Sequence, residues 1–128
     1  MKKKPKKSTL KKKCDKLWSQ IVRMKYPKCL KCGKPTQASH HIFGRRNLSV
    51  RFDIKNGIGL CHYCHTFSPQ SFHQSPYSSR NMAVIEYCTG SRIQYAKLRV
   101  KSTKVCQMSV SDYQELYEKL KEQYEKTD

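Results

Sequence analysis

Two pairs of cysteines in this chain have the spacing of zinc-binding turns. The pairs are Cys29-Leu-Lys-Cys32 and Cys61-His-Tyr-Cys64, separated by 28 residues. A CxxC segment lets both thiolates reach one tetrahedral ion, so two such segments predict a single structural Zn²⁺ site with four cysteine ligands. Disulfides and a redox-active CxxC are the alternatives. A reducing cytosol disfavours the first, and the absence of a βαβ pattern disfavours the second.

The histidines crowd the same part of the chain as the cysteine pairs. All five lie between residues 28 and 75, with His40 and His41 adjacent and His65 directly after a predicted zinc ligand. Neighbouring residues of a regular strand point to opposite faces, so His40 and His41 cannot both reach one ion. One of them should bind a metal, and the other should be free to accept a proton near its unperturbed pKa of about 6.5.

A longer set of residues carries a family resemblance. It consists of Ser39-His40-His41-Ile42-Phe43-Gly44-Arg45-Arg46, then Arg51-Phe52-Asp53, then Asn56-Gly57, and finally Leu60-Cys61-x-x-Cys64-His65. This order resembles the HNH endonucleases and is most similar to phage recombination proteins of the NinG group. The resemblance covers about residues 10–76. It implies a zinc-stapled, treble-clef-like ββα-metal core, in which a hairpin and a helix surround one divalent ion.

The resemblance also implies a role for each histidine of the motif. His40 corresponds to a metal ligand and His41 to the general base, while His65 would supply a second ligand. Some family members have a further histidine four residues beyond this position, which is Pro69 here. His73 could loop back as the third ligand, or it could be a surface or phosphate-contacting residue. The catalytic ion would be Mg²⁺ or Mn²⁺, with Zn²⁺ and Ni²⁺ as other options for imidazole ligands.

Polar residues near the motif could support its chemistry. The Asn56 side chain can bridge backbone groups across the hairpin loop and so orient His41. Asn56 therefore belongs to the catalytic site as an orienting residue. Arg45, Arg46 and Arg51 could clamp the phosphates that flank the scissile bond, or could add positive charge only.

The charge of the chain favours nucleic acid as its partner. Lys and Arg number 27 against nine Asp and Glu, for a net charge of +18. The basic face of the first predicted helix would add sequence-independent affinity for DNA through Lys11, Lys12 and Lys13. An anionic membrane surface is the weaker alternative, because no amphipathic helix has an apolar face large enough to anchor it alone. We therefore expect DNA as a partner and no membrane.

Carboxylates are scarce outside the C-terminal end. Residues 112–128 hold six of the nine acids, and the preceding 111 residues hold only Asp15, Asp53 and Glu86. A nuclease site that clamps two metal ions usually needs several acidic ligands. If the chain is catalytic, histidine must do most of the work.

The predicted architecture is α+β, a small zinc-stapled core flanked by helices. Only 37% of the residues are hydrophobic, and zinc binding would compensate for the limited core. The predicted segments are a disordered basic tail (1–7), a basic amphipathic helix (8–26) capped by Ser8 or Thr9, the HNH core (27–76) and a helical segment (77–128). Within the last segment, helices are expected over Asn81–Cys88, up to about Leu98, and from Ser111, in a capping box with Gln114, to about Lys126. Cys14, Cys88 and Cys106 are expected to be small core residues.

The combined expectation is an HNH-type DNA endonuclease that acts in phage recombination or DNA processing. By this resemblance it would work in the cytoplasm of a bacterial host and be encoded by a phage or prophage. The rival hypotheses are a non-catalytic zinc-stabilised DNA-binding module and an RNA-binding or RNA-cleaving zinc protein. The acidic C-terminal helix could form a homodimer interface, bind a partner protein or cover the core.

Overall fold

The computed structural model describes residues 5–127 as an α+β protein, mostly helical, with one two-stranded sheet. This confirms the α+β part of the predicted fold class, whereas the HNH-type core stays a prediction. The helices are α1 (Lys7–Lys25), α2 (Leu48–Arg51), α3 (Ser79–Thr89), α4 (Arg92–Ser102) and α5 (Val110–Thr127). The strands are β1 (Ala38–His41) and β2 (Gly57–Leu60), with a 3₁₀ turn at Ile54–Asn56 and a single π-helical turn at Tyr63–Phe67.

Helix α1 forms because its apolar residues recur at helical spacing. Leu10, Cys14, Trp18, Ile21 and Val22 are all buried on one face. The helix begins at Lys7, inside the predicted tail, and no side chain caps it, so the predicted cap at Ser8 or Thr9 is wrong. Residues 1–4 of the predicted tail lie outside the described residues. Helix α1 ends at Lys25, with Tyr26 as its C-cap, because the residue before Pro27 disfavours helical geometry.

Strands β1 and β2 pair in antiparallel fashion and lie against α1. His40 pairs with Ile58, and His41 pairs with Gly57. Gly57 has no room for a side chain, since a Cβ there would lie 2.5 Å from a Val22 methyl and 2.9 Å from the Trp18 ring. The missing side chain lets α1 approach the sheet closely. The face of the hairpin that carries His41 is therefore the face that packs on α1.

The C-terminal helices close over this unit, and α5 packs along α1. Tyr113 and Leu120 of α5 are buried, so the acidic helix covers the core. The predicted capping box at Ser111 is wrong by two residues. Ser109 and Asp112 cap α5 instead, because each side chain accepts a hydrogen bond from the other residue's backbone N–H, at 3.1 and 2.8 Å.

Two further helices matched the sequence expectation more loosely. Helix α3 extends the predicted Asn81–Cys88 segment by two residues at its start and one at its end, and Gly90 ends it with a φ of 113°. Helix α4 continues to Ser102, past the expected end near Leu98. Among the described residues, no helix is both long and apolar enough to cross a bilayer.

Candidate metal centres

The four cysteines of the two CxxC pairs form one cluster, as their spacing predicts. The sulfur atoms of Cys29, Cys32, Cys61 and Cys64 all lie within 4.8 Å of one another, and Cys32 and Cys61 are 3.5 Å apart. Four thiolates bound to Zn²⁺ at about 2.3 Å lie about 3.8 Å from one another, so the cluster fits a tetrahedral zinc ion. Gly33, with a φ of 77°, makes the tight turn after the first pair.

The protonation of these thiols also fits a cation. Burial raises the pKa of Cys29, but the backbone N–H groups of Cys61, Cys32 and Lys31 more than offset it and lower that pKa to about 7. The pKa of Cys64 is raised by burial and by the neighbouring sulfurs of Cys61, Cys32 and Cys29. Four neighbouring sulfurs resist ionisation together unless a positive ion lies among them, because a metal ion reverses the local balance of charge.

Three histidines form a second cluster beside the cysteines. His40, His65 and His73 each offer a ring nitrogen within 4.8 Å of the other two, and the Nε2 atoms of His65 and His73 are 3.0 Å apart. Imidazole nitrogens on one tetrahedral ion at about 2.05 Å lie about 3.3 Å apart. The three rings therefore fit one divalent ion that keeps open positions for water or substrate.

The backbone joins the two clusters directly. The Phe72 N–H donates to the Cys64 carbonyl at 3.0 Å, and the His73 N–H donates to the His65 carbonyl at 3.1 Å. The His65 N–H in turn donates to the Cys61 carbonyl at 3.0 Å. The turn that carries Cys61 and Cys64 thus holds His65 and His73 in place. The helix expected to follow the hairpin in a ββα core is reduced here to the single turn Tyr63–Phe67.

A short loop brings His73 back to His65. Pro69 occupies the second position of a turn in which the Ser71 N–H donates to the Ser68 carbonyl at 2.9 Å. Asn81 of α3, fully buried, donates from Nδ2 to the carbonyls of Gln70 at 3.0 Å and Ser75 at 2.8 Å. Sequence reasoning missed Asn81, because only the fold shows that α3 supports this loop.

His41 stays outside the histidine cluster, on the other face of β1. Its ring stacks on Trp18 with centroids 3.8 Å apart and an angle of 11°. The Trp18 indole N–H donates to the Asp53 carbonyl at 2.8 Å, which fixes the indole ring. His41 Nε2 lies 3.2 Å from the Arg51 carbonyl oxygen. A carbonyl can only accept, so Nε2 carries the hydrogen and Nδ1 carries the lone pair.

Burial lowers the pKa values of these histidines well below the ordinary range. The pKa of His40 falls to about 3 and that of His65 to about 4, through burial first and then the neighbouring imidazoles. Burial and then the charge of Arg45 lower the pKa of His41 to about 4. The expectation of an unperturbed pKa for His41 is therefore wrong, since the ring is partly desolvated. All three rings are neutral at pH 7, which is the form that binds metal or accepts a proton.

Asn56 spans the hairpin loop as its sequence position suggested. The residue is fully buried, its Oδ1 accepts from the Phe43 N–H at 2.8 Å, and its Nδ2 donates to the Phe43 carbonyl at 3.0 Å. The Asn56 carbonyl also accepts from the Ile42 N–H at 2.9 Å. These bonds fix the chain immediately after His41, so Asn56 acts by positioning.

Arg51 is engaged inside the protein rather than held open for phosphate. Its Nε and Nη2 donate to the two carboxylate oxygens of Asp15 at 3.0 and 2.7 Å. Asp15 thus occupies Nε and Nη2 of Arg51, and the contact of Arg51 with a flanking phosphate stays a prediction. The pair anchors α2 to α1 and so places the Arg51 carbonyl that accepts from His41.

The other basic side chains that were predicted to contact nucleic acid differ in their solvent exposure. Arg45, Arg46, Lys12 and Lys13 are exposed, while Lys11 is half-buried. The Lys13 ammonium lies 5.7 Å above the Tyr117 ring of α5. Arg45 and Arg46, in the loop after β1, are therefore the basic side chains closest in sequence to His41 that remain open.

Comparison with protein-family models, with curated proteins and with solved structures finds no match for this chain.

Proposed function

We propose that this protein is a metal-dependent DNA endonuclease of the HNH type. The main observation behind this proposal is that two adjacent histidines lie in different environments. His40 clusters with His65 and His73, while His41 lies outside that cluster with a lone pair on Nδ1. A metal-assisted hydrolase needs both a ligand set with open positions and a separate base. Adjacent strand residues that face opposite ways can supply both.

In this proposal His41 is the general base. Its Nδ1 accepts a proton from the water that attacks the phosphorus of a DNA phosphodiester, and Nε2–H remains bonded to the Arg51 carbonyl. An Mg²⁺ or Mn²⁺ ion held by His40, His65 and His73 would stabilise charge on the phosphoryl oxygen and the departing 3′ oxygen. The family resemblance implies 5′-phosphate and 3′-hydroxyl ends.

The low pKa of His41 has a consequence for this role. A base with a pKa of about 4 is neutral at pH 7 and available, but it binds a proton weakly. Arg45 contributes to that low pKa by its positive charge. A phosphate that pairs with Arg45 would offset this charge, and the pKa of His41 would rise when the substrate is bound.

The test of this proposal is plasmid nicking by the wild type, His41→Ala and His62→Ala, with Mg²⁺, Mn²⁺, Zn²⁺ and Ni²⁺. His62 is an exposed histidine outside both clusters, so it controls for loss of an imidazole. We expect His41→Ala to lose about 10²- to 10⁴-fold in rate while it keeps its zinc content and DNA affinity. His62→Ala should nick like the wild type. Wild-type rates in His41→Ala would show that His41 is not the base.

The stacking of His41 on Trp18 also supports a second candidate, a non-catalytic zinc-stabilised DNA- or RNA-binding module. In that case His41 serves packing only. The module hypothesis predicts that the wild type binds nucleic acid and nicks nothing with any of the four ions. Competition between labelled DNA and RNA in the same binding assay identifies which nucleic acid it binds.

A further inference from the structure

A cavity of about 410 Å³ opens beside the histidine cluster and shares His40 with it. Its size lies within the range of about 300–1,000 Å³ typical of small-molecule sites. Half of its ten lining residues carry rings, namely His40, Phe43, Phe72, Tyr77 and Tyr95, while Arg99 adds a guanidinium and the other four are non-aromatic apolar side chains. The cavity therefore adjoins the proposed metal centre, and its lining is half aromatic and otherwise mostly apolar.

The aromatic rings around the cavity are arranged in part as a stacking surface. Phe43 and Tyr95 stack with centroids 5.7 Å apart and an angle of 11°, so they present parallel rings. Tyr77 is 81% exposed, so its ring is open to a ligand that enters the cavity. Arg99 of α4 is exposed and adds positive charge to the lining.

We propose that this cavity takes one unpaired nucleobase of a DNA strand whose neighbouring phosphate lies at the histidine cluster. The proposal rests on the nuclease function and names its substrate class: single-stranded or locally unpaired DNA. Aromatic rings with an adjacent cation are the surface on which unpaired bases stack, with phosphates held by positive charge. A base within an intact duplex is already stacked on both faces, so it cannot enter without being extruded.

The chemistry of the lining favours a nucleobase over other occupants. An aliphatic ligand would leave the Arg99 guanidinium without an anionic partner, and a bare phosphate would leave the apolar lining uncovered. A flat, polarisable ring gains stacking on Tyr77 or the Phe43–Tyr95 pair, and the arginine complements the anionic backbone. The sharing of His40 places base and phosphate sites side by side, as in one nucleotide.

The test compares Tyr77→Ser with Tyr87→Ser, a matched control that is 70% exposed on α3 and lines other cavities. Single-stranded DNA that contains 2-aminopurine is titrated with full-length protein, without added divalent ion so that no cleavage occurs. We expect wild-type protein to quench the fluorescence through stacking. Tyr77→Ser should weaken single-strand binding by about 5- to 150-fold and lose the quenching, whereas Tyr87→Ser should behave as the wild type.

Further arms of the same experiment separate this inference from the nuclease proposal. Affinity for intact duplex should be the same for both variants, and a larger loss of duplex binding in Tyr77→Ser overturns the inference. Equal behaviour of the two variants on single strands also overturns it, as does a tenfold preference for single-stranded RNA. Quenching by a protein that nicks no DNA with any ion would refute the nuclease and still support the base site.

Discussion

Replacing Asp15 by Asn tests whether the Asp15–Arg51 pair holds the site together. The substitution keeps the shape of the side chain and removes the negative charge that accepts two hydrogen bonds from Arg51. Helix α2 then loses its ionic anchor to α1. The Arg51 carbonyl, which accepts from His41, loses its fixed position at the same time.

The expected loss in free energy of unfolding follows from the low solvent exposure of the Asp15–Arg51 pair. The side chains of Arg51 and Asp15 are 12% and 19% exposed, whereas Lys101 and Asp53, 3.7 Å apart, are 54% and 29% exposed. Breaking a fully buried pair costs about 3–5 kcal/mol, and an exposed pair contributes about 0–1 kcal/mol. We expect Asp15→Asn to lower the free energy of unfolding by about 2–3 kcal/mol and Lys101→Gln to lower it by less than about 1 kcal/mol.

Urea unfolding of the zinc-loaded wild type, Asp15→Asn and Lys101→Gln measures these differences. Nicking by Asp15→Asn should also fall by about 10- to 100-fold under conditions where the protein stays folded, because loss of an orienting contact has effects of that size. A cost for Asp15→Asn no greater than that for Lys101→Gln would refute the reasoning from burial. Unchanged nicking would show that the Arg51 carbonyl does not need this anchor.

Three other changes test separate parts of the structure. Removal of zinc by a chelator should unfold the chain, which is measured as loss of the far-ultraviolet circular dichroism signal. Structural zinc contributes about 10–16 kcal/mol, whereas the whole free energy of unfolding of a typical protein is about 5–15 kcal/mol. A retained spectrum after verified metal loss would contradict this prediction. Asn81→Ala removes two hydrogen bonds to the loop that carries His73, so it should lower the free energy of unfolding by about 1–3 kcal/mol and weaken Co²⁺ binding at the histidine cluster. An unchanged Co²⁺ titration would show that Asn81 does not position His73. Ser109→Ala should lower the free energy of unfolding in urea by about 1 kcal/mol, and Ser111→Ala should lower it by less than about 0.5 kcal/mol. The reverse order would refute the observed cap of α5.

The cluster of four cysteines could be predicted because its signal is local. Each CxxC pair forms one turn, and the chemistry of Zn²⁺ requires that two such pairs meet. The opposite orientations of His40 and His41 follow in the same way from the alternation of a strand. The α1 helix was also predictable, because five buried residues recur at helical spacing along it.

Contacts between distant segments could not be read from the sequence. Arg51 looked like a phosphate ligand because its partner, Asp15, lies 36 residues away. Asn81 supports the Gln70–Ser75 loop only because α3 packs beneath it, and the low pKa of His41 depends on burial against Trp18. Alternative caps such as Ser109 and Ser111 differ by details of backbone geometry that composition does not encode.

The hydrogen bonds from Phe72 to Cys64 and from His73 to His65 tie the histidine cluster to the cysteine cluster, so in the proposed enzyme the cysteine site would fill before the histidine site. Until the four thiolates bind an ion, the turn that carries His65 is not rigid and cannot hold the His65 and His73 rings in position. We therefore expect ions to bind in a fixed order, first at the cysteine cluster and then at the histidine cluster. In a cell short of zinc, newly made chains would then lack both centres together, whatever the supply of magnesium or manganese.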